Sequence, residues 1–196
     1  IGSGTHGQRG IAGRRDDKHA LSVFFCEVVL LKWLTTIVSL GLYSVFILTQ
    51  LEKYKELYLV QSITIMAVGF DITWLFQGIE NFRITVTTQI LAKILSVIAI
   101  FIFVKSEADL LFYVAACNLP TLIGYFFLWP NLRAVIEKVE IKDLHPFKHL
   151  KPEIQLFIPY IGTLLFSYID KTMLGYIMPD GAENGYYEQA LKFITM

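Results

Sequence analysis

The chain has 196 residues, of which 55% are hydrophobic and 17% charged, and its formal net charge is zero. A soluble domain usually carries about 25% charged and about 45–50% apolar residues, so this composition argues against one. With zero net charge, the chain also lacks the excess of basic residues that is typical of nucleic-acid-binding proteins, so no nucleic-acid partner is expected. The two cysteines suggest neither a disulfide framework nor a metal motif.

Long apolar runs predict an all-α fold. About 20 apolar residues are needed to cross a hydrocarbon layer of about 30 Å, and lipid cannot satisfy free backbone polar groups, so each run should be helical. The sequence therefore predicts a polytopic transmembrane helix bundle. The predicted spans are residues 21–48, 57–79, 84–104, 110–129 and 154–178, and a sixth apolar stretch begins near Tyr186.

The basic residues between these runs predict an orientation. Lys and Arg side chains on alternating connections number ten on one side and three on the other, and the richer side should be cytoplasmic. The N-terminal segment and the connection 130–153 lie on that side. This connection has a helical pattern from Leu132 to Val139, and we interpret it either as a linker between two groups of helices or as an ordinary long loop.

Four ionisable residues lie at membrane depth. Each costs about 2.5–3.5 kcal/mol inside a span unless it has a partner or a wet cavity. Asp71 and Lys93 lie about 12 and 13–14 Å from the cytoplasmic ends of adjacent predicted helices, so we expect them to face one cavity and to pair. Glu27 and Lys32, about 9 and 16 Å deep, complete a neutral set. A purely structural ion-pair cluster is the alternative.

Other residues within the runs allow two interpretations. Asp170 and Lys171 are adjacent and point about 100° apart, so one is expected to line a cavity and the other to pair with a neighbouring helix, unless both are structural. Trp74, one turn from Asp71, belongs either to the core or to the cavity wall. The histidines lie outside the spans without metal-motif spacing, so no catalytic site, metal ion or cofactor is expected.

Several segments resemble bacterial polysaccharide-unit flippases of the multidrug, oligosaccharidyl-lipid and polysaccharide exporter superfamily. Residues 70–80, with the sequence FDITWLFQGIE, look like the signature of that family. The segments FIP at 157–159, YIDKTMLG at 168–175 and GYYE at 185–188 resemble its seventh helix and the start of its eighth. Gly7, Arg9 and residues 15–18 are similar to the loop that precedes its third helix.

The resemblance implies a fragment of a two-lobed fold with 12–14 helices. The chain does not open with Met, and it closes within an apparent helix, which also favours an internal fragment. Residues 1–129 would then form part of the N-terminal lobe, 130–153 a cytoplasmic inter-lobe linker, and 154–196 the start of the C-terminal lobe.

The function implied by the resemblance is flipping of undecaprenyl-pyrophosphate-linked oligosaccharide repeat units across the bacterial cytoplasmic (inner) membrane. Alternating access coupled to a proton or sodium ion would serve O-antigen, capsule or exopolysaccharide synthesis. Membrane lipids, a polysaccharide polymerase and chain-length machinery are the further partners implied. The substrate-cavity candidates are Arg9, Lys93, Trp74 and Lys32, and the ion-coupling candidates are Asp71, Asp170 and Glu27.

Two other functions compete with the flippase. A drug or cation antiporter of the same superfamily would share the helices but need a smaller cavity. A membrane-embedded polymerase or acyltransferase would need catalytic residues in a large extracytoplasmic loop. The predicted outer loops, 49–56, 105–109 and 179–184, are too short for that, so a non-enzyme is expected.

Overall fold

The computed structural model describes residues 2–49, 55–178 and 182–194, and these residues contain helices and no strand. This confirms the all-α prediction. The helices are α1 (Gly2–Ala12), α2 (Lys18–Thr49), α3 (Lys55–Phe70), α4 (Thr73–Gly78), α5 (Phe82–Phe103), α6 (Leu110–Leu128), α7 (Leu132–Val135), α8 (Leu150–Ile177) and α9 (Ala182–Ile194).

Four stretches of helix are long and apolar enough to cross a membrane: α2, α3 with α4, α5, and α6 with α7. They coincide with the first four predicted spans, and the chain is a multi-pass membrane protein. The long helix α8 is not among them, since proline, tyrosine and charged residues dilute its apolar stretch. The predicted fifth span and the sixth, which corresponds to α9, stay predictions.

The chain divides into two compact units, Ile1–Pro152 and Glu153–Met196. In the first unit α6 packs against both α3 and α5, α2 packs against α3, and α1 packs against α4. Small residues allow the closest approaches. A Cβ on Gly124 of α6 would lie 3.3 Å from Ala92 of α5, and one on Gly69 of α3 would lie 2.8 Å from Thr36 of α2. In the second unit α8 is followed by α9.

The buried core of the first unit lies where α1, α4 and the first turns of α2 meet. Aromatic and branched side chains from these helices and from the end of α6 form one cluster. The helix α5, by contrast, leaves most of its large apolar side chains exposed, which suits contact with lipid. The cluster contains Ile11, Leu21, Phe24, Phe25, Val28, Val29, Ile72, Trp74, Leu75, Phe76, Leu128 and Leu132.

Three local expectations were wrong. The N-terminal segment, expected as a loop, forms the helix α1, whose Gly7 seats the ring of Trp74 and whose Ile11 meets Gly78 of α4. Residues 57–79, expected as one helix, break between Phe70 and Thr73. The helical pattern expected through residue 139 ends at Val135, because the following residue turns to extended backbone.

The break in the second span has a local cause. The Asp71 carboxylate accepts hydrogen bonds from the backbone N–H of Thr73 at 2.9 Å and from its hydroxyl at 2.6 Å. A short acidic side chain that bonds the backbone two residues on offers an alternative to the helical ladder. The break therefore follows from the Asp71–Thr73 spacing, which an apolar-run argument does not register.

Candidate functional site

The break between α3 and α4 frees backbone carbonyls at membrane depth, and side chains from other helices satisfy two of them. The indole Nε1 of Trp129 donates to the Phe70 carbonyl at 3.0 Å. The Lys32 ammonium of α2 donates to the Asp71 carbonyl at 2.5 Å. Irregular backbone within a membrane requires such partners. Lys32, a substrate-cavity candidate, therefore lies buried against the break.

A cleft of about 570 Å³ opens between α5 and α6 beside the start of α4. Its charged group is Lys93, and the residues that the structure describes give the Lys93 ammonium no hydrogen bond or ion pair. Hydroxyl and amide side chains share the lining with apolar ones. The polar lining residues other than Lys93 are Thr73, Thr88, Gln89, Thr121 and Tyr125.

The expected ion pair between Asp71 and Lys93 does not form in the described part of the chain. The Asp71 carboxylate is instead used by Thr73. Thr73 and Lys93 both line the cleft. Asp71 is therefore connected to the cleft through Thr73, and not through a direct contact with Lys93. Shared depth suggested one cavity for both residues but could not reveal that Asp71 has a local partner.

Glu27 lies in a different place from the cleft. Its side chain is 1% exposed, and Oε1 accepts hydrogen bonds from the backbone N–H of His145 at 2.9 Å and from Lys148 Nζ at 2.7 Å. His149 Nε2 lies 2.9 Å from Oε2. Because the connection 130–153 supplies all three groups, Glu27 joins this connection to α2. The expectation that Glu27 would share a cavity with Asp71 was wrong.

Sequence reasoning missed Lys148 and His149 as partners of Glu27. A buried carboxylate needs compensating cations, and the connection carries five Lys and Arg residues besides its histidines. That surplus was a usable signal. The sequence alone did not reveal that the connection folds back onto α2.

The remaining candidates of the first unit do not line the cleft. Trp74 is 2% exposed and packs on Phe25, with ring centroids 5.4 Å apart, and on Gly7. This position supports its interpretation as a core residue. Arg9 lies exposed on α1 and is not among the residues that line the cleft.

The charged pair of the second unit is turned toward α9. Lys171 forms an ion pair with Glu188. The hydroxyl of Tyr187 donates to the Asp170 carboxylate at 3.3 Å. Both adjacent residues therefore contact the neighbouring helix, as the structural alternative for this pair expects.

Comparisons with known proteins identify a family for this chain. The profile of the family described as polysaccharide biosynthesis protein matches residues 8–196. A relative from Shigella dysenteriae, named "Putative O-antigen transporter", is 24% identical over 166 residues, which cover 82% of this chain and 41% of the relative. The chain thus spans less than half the length of that relative. No solved structure matches. With the match running over nearly its whole length, the chain belongs to the polysaccharide biosynthesis protein family.

Proposed function

We propose that the complete gene product flips lipid-linked oligosaccharide repeat units across the bacterial cytoplasmic membrane and catalyses no covalent chemistry. Family membership and the name of the Shigella relative support a transporter that serves polysaccharide synthesis. The four membrane-crossing stretches fit this role. Alternating access of two lobes joined by the connection 130–153 would move the substrate, and a polysaccharide polymerase with its chain-length machinery would receive it.

The cleft beside the broken helix is the observation that carries this proposal. A pyrophosphate group calls for a cation and several hydrogen-bond donors, and charge-assisted bonds of this kind are the strong ones. Lys93 supplies the cation, and the hydroxyl of Tyr125 and the side-chain amide of Gln89 supply donors. The volume falls within the usual range of ligand pockets, about 300–1,000 Å³, and suits the phosphate-bearing part of a larger substrate.

Asp71 is the strongest candidate for coupling to a proton or a sodium ion. Its carboxylate bonds Thr73, a residue of the cleft wall, at a discontinuity of the span. Broken helices that place carboxylates and free carbonyls beside a substrate site are a common way to build such coupling. Asp170 and Glu27 are weaker candidates, since their contacts are to α9 and to the connection 130–153.

Substitution of Lys93 tests the proposal. In cells whose surface polysaccharide depends on the complete gene product, Lys93→Ala should lower transport by tenfold or more, about 1.4 kcal/mol, while Lys93→Arg keeps part of it. Arg83→Ala is the matched control, because Arg83 lies on the same helix but does not line the cleft. Surface polysaccharide is measured against the amount of folded protein.

Equal transport by Lys93→Ala and Arg83→Ala would contradict the role of the cleft. Loss of cationic-dye efflux with intact surface polysaccharide would favour the antiporter instead.

A second variant separates charge from structure at Asp71. Asp71→Asn keeps an oxygen that accepts both hydrogen bonds from Thr73 but removes the negative charge. Transport should therefore be abolished while folded protein persists. Equal loss of transport and of folded protein would show that Asp71 acts only in folding.

A further inference from the structure

Three ionisable side chains from three segments form a hydrogen-bonded row at one end of the first unit. Glu27 belongs to α2, His149 to the segment 136–149 that follows α7, and His6 to α1. His149 lies 2.9 Å from Glu27 through Nε2 and 3.0 Å from His6 Nε2 through Nδ1. His149 and Glu27 are buried, and His6 is half-buried. The cleft proposed above as the substrate site does not use this row.

The row admits one extra proton without losing a hydrogen bond. Glu27 as a carboxylate only accepts, so His149 Nε2 carries a hydrogen in every arrangement. With neutral imidazoles, His6 Nε2–H donates to His149 Nδ1. With one added proton, His149 becomes imidazolium and its Nδ1–H donates to His6 Nε2. Both bonds of His149 survive in either state.

A second proton breaks the row. When both imidazoles are charged, each presents an N–H at the 3.0 Å contact, and neither can accept. Two other cations face the same place: Lys148 on Glu27, and Arg14, whose guanidinium lies 4.5 Å from the ring of Phe24, which touches both histidines. One buried carboxylate then faces four cations.

We propose that Glu27, His149 and His6 form a proton-binding site that holds the segment 136–149 against α2 and releases it when both imidazoles are protonated. This inference does not depend on the proposed transport function. The helical structure in this segment consists of short 3₁₀ turns. Besides the bonds from the His145 N–H and from Lys148 to Glu27, the segment's polar ties to α2 are the Lys18–Glu137 pair at 3.6 Å between exposed groups and the Glu137 N–H to Ser22 hydroxyl bond at 2.8 Å. A segment that lacks long helices and is held largely through one carboxylate opens before the packed helices do once that site fails.

The pH range of release follows from His6. Burial, followed by the charges of His149 and Arg14, lowers the pKa of His6 below its ordinary value of 6.5. Because the pKa is lower in the folded state, neutral His6 stabilises the closed segment above pH 6.5. That contribution is lost as the pH falls through the lowered pKa. Release is therefore expected on the acid side of pH 6.5.

Hydrogen exchange of the complete gene product in detergent tests this inference. Corrected for intrinsic rates, exchange of the amides in segment 136–149 should rise several-fold between about pH 7.5 and about pH 5.5, across the range where histidine titrates. The N–H of His145, which bonds Glu27, reports most directly. His6→Gln should abolish the rise, since its amide still donates to His149 but gains no proton. His19→Gln, on the exposed start of α2, should behave as the unsubstituted protein.

Either of two results overturns the inference. Exchange in the segment that stays constant over this pH range shows that the row does not control it. A rise of equal size in His6→Gln shows that another group is the sensor. Because the readout is exchange and not transport, a failure here leaves the Lys93 test untouched.

Discussion

The regions around the two ends of α5 differ in the contacts that stabilise them. At the end near α4, the segments α1 and 136–149 pack over α2 and bury a polar row and an aromatic cluster. At the other end, residues 104–109 join α5 to α6 through short-range bonds made by Asp109. The large side chains nearby, such as Phe101 and Phe103, are exposed. One end is built by long-range contacts and the other by local ones.

The difference follows from the two solvents of a membrane protein. Where chain segments meet water, burying apolar surface is favourable and draws loops and short helices together. Within lipid there is no such gain, since the hydrocarbon is as apolar as leucine. Helices there associate through small residues and through polar groups that need partners. Variants at the two ends should therefore differ in cost.

The largest effect is expected at Glu27. Glu27→Gln removes both the charge that compensates Lys148 and one of the two oxygens that accept hydrogen bonds inside the packed end. Breaking a buried pair by removing one partner costs about 3–5 kcal/mol. Thermal unfolding of the purified complete gene product should show this loss. Glu56→Gln, at the exposed first turn of α3, is the control and should change little. Equal melting of the two variants would mean that Glu27 is not a structural centre.

The next largest effect is expected at Gly7, where α1 meets α4. A Cβ at this position would overlap the ring of Trp74, and forcing extra atoms into a packed core costs about 1–3 kcal/mol. Gly7→Ala should therefore lower the melting temperature. Gly4→Ala on the same helix meets nothing within 4 Å and should be neutral or slightly stabilising, because alanine favours helix. A stable Gly7→Ala variant would show that α1 is not docked as described.

The sequence predicted the four long spans well because the length and apolarity of a span depend only on consecutive residues. It did not predict α1, whose glycines have low helix propensity and whose stability comes from contacts with Trp74 and Gly78 that lie some 67 residues away. The partners of Glu27 were missed for the same reason, since His149 is 122 positions away. Lys93 lines the cleft, and its role in a substrate cavity stays a prediction that rests on depth along a helix, which is a local quantity.

A smaller effect is expected where the span is broken. Trp129→Phe removes the hydrogen bond from the indole to the Phe70 carbonyl, a net loss of about 1 kcal/mol. Trp33 stacks on Trp129 at 5.6 Å and loses similar ring area in Trp33→Phe. Comparing the two variants by thermal unfolding isolates the hydrogen bond. If Trp33→Phe lowers the free energy of unfolding as much as Trp129→Phe does, the hydrogen bond from Trp129 to the Phe70 carbonyl contributes no stability.

The smallest effect is expected at the locally built end. Asp109 accepts hydrogen bonds from the backbone N–H groups of Lys105 and Ser106, which lower its pKa below the ordinary 3.8. Ionised Asp109 therefore stabilises the turn above pH 3.8, and this contribution disappears as the pH falls through the lowered pKa. Asp109→Asn should melt slightly earlier than the unsubstituted protein at neutral pH, and the gap should narrow in acid. Asp16→Asn, exposed beyond α1, should show no gap at any pH. A gap for Asp109→Asn that persists in acid would mean that geometry, and not charge, makes the cap.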